Sequence, residues 1–180
     1  MKIDLHTHCR EATASPMPTL DIAKRIVNVV KSKGLDGIAL TDHYSSHFGK
    51  EVKRIVDQEL NGEITVIPGQ EIDIMFTGKE RGVFHAVELF LPNDLTFRFI
   101  AHPGHPYVRN LDALISGDIH GIELKNPSHH RDMDEENIGR VAQKHNLILL
   151  TNSDAHRLRD IGTYYNHIEI EQLCERVRAA

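Results

Sequence analysis

Short runs of aliphatic residues alternate along the chain with longer stretches whose apolar positions recur every three to four residues. The first pattern predicts strands and the second predicts helices packed on them. Residues 2–9 read as a strand at the N-terminus. Leu20, Ala23, Val27 and Val30 fall on one face of a helix over 20–33, with Thr19 placed to cap it and Gly34 to end it. Residues 37–40 form a buried strand ending in Thr41-Asp42-His43, and 49–60 a polar helix closed by Asn61-Gly62. Strands over 63–67 and 71–76 flank Pro68-Gly69; others cover 83–91 and 97–102, the latter running into Pro103-Gly104-His105-Pro106. A short helix over 110–115 precedes a strand over 121–125. Asp132 and Glu135 resemble a capping box for a helix reaching Asn146, and a strand over 147–150 follows. Segments 167–170 and 172–178 close the chain.

Repeated strand–helix units imply an α/β fold with a mostly parallel sheet, either a barrel or a doubly wound layer. A length of 180 residues suits one domain, 1–180. Nearly every strand runs into His, Asp or Glu, and the C-terminal ends of strands are where such folds place their sites.

Composition narrows the function. No apolar run approaches a membrane span, and no signal peptide is expected ahead of the first strand. Cys9 and Cys174 make neither a metal-spaced pair nor a disulfide framework, which points to a reducing, cytoplasmic setting. With 21 basic and 26 acidic residues, net charge −5 and no basic run, a long nucleic-acid footprint is not supported. The absence of Trp and the presence of only four Tyr favour a small substrate over a polymer. Thirteen histidines stand out, histidine being the commonest metal ligand.

In Asp4-Leu5-His6-Thr7-His8, strand periodicity puts Asp4, His6 and His8 on one face, where the two imidazoles can chelate an ion and Asp4 can orient one of them. Histidine is frequent enough for one such pair to arise by accident, so position must decide. Asp42-His43 taken alone suits a turn or cap. Glu71 and Asp73 share a polar strand face opposite Ile72 and Ile74, and a carboxylate is the natural bridge between two cations. His85 and His102 taken singly suit buried core histidines; Asp154 and His156 follow four aliphatic residues. Together, six strand ends supply His6, His8, His43, Glu71, His85, His102, Asp154 and His156. That convergence predicts a metal centre. His47 and His105 lie near it; Arg109, Lys125 and Arg157 follow strand ends and, with His105, are candidates to hold a substrate anion. His129 and His130 read as solvated loop residues, and His120, His145 and His167 as packing or surface residues.

These clusters, in this order, resemble the polymerase and histidinol phosphatase (PHP) superfamily of metal-dependent phosphoesterases. The matching stretches are Asp4-Leu5-His6-Thr7-His8, Thr41-Asp42-His43, Gly69-Gln70-Glu71, Ala101-His102-Pro103, Gly121-Ile122-Glu123 and Ser153-Asp154-Ala155-His156. The resemblance implies a distorted (β/α)7 barrel holding two to three divalent ions of zinc, manganese or iron. It implies that His6, His8, Glu71 and Asp154 hold one ion, that Glu71 bridges to a second held by His85 and His102, and that His43 and His156 hold a third. The family often supplies another third-site ligand soon after the first strand, where only Glu11 is available here. The family also carries a helix between the His85 and His102 strands. Here the segment is too short for a parallel crossover, so those strands are expected to form an antiparallel hairpin.

The reaction implied is hydrolysis of a small phosphate ester, monoester or nucleotide, by a hydroxide bridging the ions on Glu71. His43 or His156 would protonate the leaving group. One alternative is an amidohydrolase acting on C–N bonds, whose bridge is often a modified lysine; no lysine stands at the Glu71 position. The other is a non-catalytic or regulatory metal-binding module.

Overall fold

A computed structural model describes residues 1–76, 82–106 and 110–180. β1 (Lys2–Asp4) is shorter than the 2–9 expected, because α1 (Cys9–Ala12) starts directly after His8. α2 (Leu20–Ser32) forms as expected: Thr19 accepts the Ile22 N–H on its side chain, and Gly34 takes φ 68° just beyond the end. β2 (Gly37–Leu40) and α3 (His47–Glu59) follow.

The two strands expected around Pro68-Gly69 are one, β3 (Thr65–Phe76). Its first half pairs in parallel with β2 as far as Leu40↔Pro68, and from Gly69 onward it pairs antiparallel with β4 (Gly82–Phe90). Pro68 stands where one ladder gives way to the other, so its missing N–H interrupts neither. Gly69 has a steric role: a Cβ there would lie 2.5 Å from the Glu88 carbonyl oxygen and 2.9 Å from Thr41 Cγ2. Gly69→Ala is therefore expected to destabilise the fold by about 1–3 kcal/mol through overpacking. Urea unfolding measures this, and a variant as stable as the parent would refute the packing argument.

β4 turns back through a 3-10 turn at Pro92–Asp94 into β5 (Thr96–Ile100), the antiparallel hairpin expected in place of a helix. This reverses β4, so His85 comes from near the strand's beginning, not from a strand end. It still reaches the site because the register sets it opposite Asp73, two residues from Glu71. The 110–115 segment is a 3-10 turn, Leu111–Leu114. β6 (Gly121–Lys125) leads to α4 (Glu135–His145), whose cap is Asp134, not Asp132, with its carboxylate accepting the Asn137 N–H. β7 (Ile148–Thr151), β8 (Asn166–His167) and α5 (Ile170–Arg178) complete the chain.

The eight strands form one sheet in the order β7-β6-β5-β4-β3-β2-β1-β8. β1/β2/β3 and β5/β6/β7 are parallel runs, joined by the antiparallel β3–β4–β5 meander. The edges curl toward each other. Thr7 bridges Ala155, and the Asp154 N–H donates to His6 O at 2.9 Å. The Asn166 amide exchanges hydrogen bonds with the Thr151 backbone and donates to Asn152 Oδ1 at 2.8 Å. The result is a nearly closed, distorted barrel.

Its interior is filled by Ile3, Leu5, Ala39, Ile67, Val87, Leu89, Phe97, Phe99 and Leu150, with Leu173 and Cys174 of α5 packed on them. α2 and α3 cover β2 through Ile26, Val30, Val52 and Val56. α4 covers β6 through Ile138 and Val141 on Ile122. Apolar packing leaves the polar residues one place to gather, the rim where the parallel strands end. Among the described residues no helix is long and apolar enough to cross a membrane.

Candidate metal centre

All eight expected ligands converge on that rim. His6, His8, Glu71, His102 and Asp154 are buried, while His43 and His85 are half-buried and His156 is exposed at the opening. His6 Nε2 and His8 Nε2 lie 3.1 Å apart. Glu71 Oε2 is 3.6 and 3.3 Å from them, and Asp154 Oδ1 is 3.5 and 3.1 Å. Tetrahedral coordination with bonds near 2.0–2.1 Å sets its ligands about 3.3–3.4 Å apart. Each carboxylate oxygen therefore stands at about coordination-sphere spacing from both imidazole nitrogens. Among the described residues Asp154 Oδ1 and His8 Nδ1 are buried without a hydrogen-bond partner, which is costly unless another group faces them.

Glu71 divides its oxygens. Oε2 faces His6, His8 and also His43 Nδ1 at 3.1 Å, while Oε1 faces His102 Nε2 at 3.0 Å and His85 Nδ1 at 3.3 Å. Its backbone is fixed by the Glu71 N–H donating to Thr41 O and by the bridge to His43, so β3 delivers the carboxylate rigidly. Glu11 reaches the opening: its oxygens lie 3.9 Å from His43 Nε2 and 3.7 Å from His156 Nε2. Asp73 meets His85 Nε2 at 3.4 Å and accepts the Tyr44 hydroxyl at 2.8 Å.

The rings are oriented from behind. His6 Nδ1 contacts Glu123 Oε1 at 2.9 Å, His102 Nδ1 contacts the His105 carbonyl at 2.9 Å, and His156 Nδ1 contacts the Asp154 carbonyl at 3.0 Å. Each Nδ1 so engaged leaves an Nε2 lone pair for a cation. Asp4 does not orient a ring as expected. Its carboxylate accepts the Ser153 N–H at 3.1 Å, the Ser153 hydroxyl at 2.5 Å and the Gly162 N–H at 2.9 Å, tying the Asp154 loop to β1, and burial raises it to about 6. His102 and Asp154 hold φ of 28° and 50°, a strain of about 1–3 kcal/mol each that the surrounding bonds must hold.

The electrostatics suit a cation. Burial opposes charge on His6, yet Asp154, Glu123 and Glu71 together raise it well above the ordinary histidine range. Burial lowers His8 to about 4. Burial alone would raise Glu71 and Asp154, but facing imidazoles, His6 foremost, hold both well below the usual carboxylate range. Buried carboxylates facing inward imidazole nitrogens are a donor set for divalent N/O-preferring ions.

Of the expected phosphate contacts, Arg157 lines a cavity of about 370 Å³ with Ser128, Asp154 and His156. Lys125 is 3.7 Å from Glu135, with a half-exposed side chain. His105 is exposed beside Asp132, and Arg109 lies outside the described residues. Arg10, not singled out from the sequence, lines a second cavity of about 360 Å³ with Glu11, Asp42 and His43.

Three further residues take a place in the site that only three dimensions give them. Glu123 is fully buried, taking His6 Nδ1 and Asn152 Nδ2 on one oxygen and the His102 N–H and Asn126 Nδ2 on the other. Its place at a strand end beside Asn126 was the available signal. His129, expected to be solvated, sits with Nε2 3.8 Å from Asp154 Oδ2 and its ring 4.4 Å from that of His102. Nothing in its local pattern marks it, because the loop after β6 folds back over the rim. Asn152 pins the same network, donating to Glu123 at 2.7 Å and accepting the Leu5 N–H at 3.1 Å.

Comparison with known proteins agrees with this fold. Residues 135–180 match the family profile described as "PHP-associated". A proposed metal-dependent phosphoesterase from Bifidobacterium adolescentis shares the fold at TM-score 0.69 and 13% identity, over 98% of this chain and 95% of that one. An amidohydrolase from Chromobacterium violaceum, solved with sulfate and no metal, gives TM-score 0.68 and 17% identity over 98% and 97%. An uncharacterised protein of Methanocaldococcus jannaschii is 27% identical over 156 residues, 73% of this chain and 85% of that protein. The barrel is shared with these structures, and the profile match over residues 135–180 supports the resemblance to the PHP superfamily.

Proposed function

We propose that the protein, acting as one domain over 1–180, is a metal-dependent hydrolase of small phosphate esters, a phosphomonoesterase or nucleotide phosphoesterase. The observation that carries this is the division of Glu71, one oxygen toward the His6/His8 pair and the other toward the His85/His102 pair. His6, His8 and Asp154 with Glu71 Oε2 would hold one ion. Glu71 Oε1 with His85 and His102 would hold a second, and His43, His156 and Glu11 a third. Zinc, manganese or iron bound there supplies an acidified water and a charge clamp for phosphoryl oxygens.

The protein's own groups do the rest. Glu123 and the His105 carbonyl hold the His6 and His102 rings in place, so the donor set is preorganised. Whichever of His43 and His156 is not committed to a third ion would give a proton to the departing alkoxide at the opening. Two ligand carboxylates, or three counting Glu11, do not neutralise two or three divalent ions, so the occupied site attracts anions although the chain carries −5. Arg157 and Arg10 line cavities that also include His156 and His43, where a substrate anion would lie. The two buried, unpaired thiols support the cytoplasmic setting.

Chelator-treated protein is expected to lose at least about 99% of its turnover of p-nitrophenyl phosphate and nucleoside monophosphates, and to regain it on adding zinc, manganese or iron. Metal analysis should find two or more ions per chain. Full occupancy without turnover of any ester would favour the binding module, and turnover confined to C–N substrates the amidohydrolase.

A further inference from the structure

A second group of donors lies beside this centre. His105 belongs to the loop after β5, His129 and Asp132 to the loop after β6. Asp132 Oδ2 is 3.9 Å from His105 Nδ1 and 3.8 Å from His129 Nδ1, and the two rings stack at 4.2 Å and 23°. One donor atom from each residue falls within 4.8 Å of the other two.

The backbone builds this convergence. The Asp132 N–H closes a turn on His129 O at 2.9 Å, and the His105 N–H closes another on His102 O at 3.0 Å. The loops press together at Gly104, where a Cβ would come within 2.0 Å of Asp132 O and φ is 116°. Only glycine lets the two turns meet so closely, and the meeting presents both imidazoles to one carboxylate oxygen.

At 3.8–3.9 Å neither ring is hydrogen-bonded to Asp132. An anion would meet the Asp132 charge. A cation with bonds of about 2.0–2.2 Å accepts donors this far apart at a wide angle, and a small side-chain rotation closes them to tetrahedral spacing. Two imidazoles and one carboxylate select zinc, cobalt, nickel or copper over magnesium or calcium.

We propose that His105, His129 and Asp132 form a rim site for a further borderline divalent cation, its remaining positions filled by water. The site rests on its own donors and not on the phosphoesterase reading. It is tied to the centre at two points. His129 turns its other nitrogen toward Asp154, and the His105 carbonyl is the group that holds His102 Nδ1. Rim occupancy therefore stiffens the loop that aims His102.

The test uses the full chain, titrated with zinc or cobalt, with metal analysis and cobalt absorption as readouts. Asp132→Ala, at an exposed position, is expected to bind one equivalent fewer than the parent, or to bind it more than about tenfold more weakly, and to keep the central ions. Glu71→Ala should do the reverse, losing central ions and keeping the equivalent that Asp132→Ala loses. Calorimetric titration of protein whose central sites are already filled gives a second reading: a further zinc-binding phase in the parent, absent from Asp132→Ala. Equal stoichiometry and identical cobalt spectra for parent and Asp132→Ala, or persistence of the further phase in the variant, overturns the proposal.

Discussion

Glu71→Ala is expected to lower phosphate-ester turnover by at least about 10³-fold, roughly 4 kcal/mol of transition-state stabilisation, and to empty two metal positions together. The expectation follows from the carboxylate's division of labour. A residue serving one ion would cost one ion; Glu71 faces two imidazole pairs from opposite oxygens at 3.0–3.6 Å. Among the described residues the neighbouring carboxylates do not match its position: Asp154 Oδ1 stands at 3.1 Å from His8 Nε2, and Asp73 meets His85 through Nε2, the nitrogen away from Glu71. Glu71→Gln sharpens the test: it keeps the shape and one acceptor oxygen and should retain one position better than the other. Metal analysis beside steady-state kinetics measures both effects, with circular dichroism confirming the fold. A fully active Glu71→Ala variant would sink the bridging role.

The second large effect belongs to a residue that touches no proposed ion. Glu123→Gln should weaken metal binding by about 10–100-fold and lower stability by about 1–3 kcal/mol. The wild-type carboxylate accepts from four groups: the His6 ring, the Asn152 and Asn126 amides, and the His102 N–H at 2.6 Å. A glutamine keeps one acceptor oxygen but turns an NH₂ toward two donors, and it withdraws the charge that holds the His6 ring. Competition with a chelator of known affinity and urea unfolding separate the two consequences. Unchanged affinity with lowered stability would leave Glu123 a purely structural group.

How much of this was legible in advance depended on range. The helix over 20–32 was readable because its cap, stop and apolar face are local. The hairpin was readable because a parallel crossover needs more chain than lies between His85 and His102. β3 was misread as two strands because Pro68-Gly69 normally punctuates, whereas here the proline falls at a change of partner and the glycine at a close backbone approach. Asp4 was assigned to a histidine ring by face alone, but its lone pairs go to Ser153 and Gly162, far along the chain.

By itself the sequence determined the alternation of strands and helices, and it determined that His, Asp and Glu stand where the strands of an α/β sheet run out. Those follow from side-chain periodicity and turn chemistry, which act over a few residues. Only the tertiary structure decided which nitrogen faces which oxygen. Closure of the barrel through Thr7, Ala155 and Asn166, and the reversal of β4 that carries His85 beside Asp73, turn a series of polar strand ends into a site. The loop after β6 likewise carries His129 over that rim, because a hydrogen-bonded ring position is set by groups many residues away in the chain.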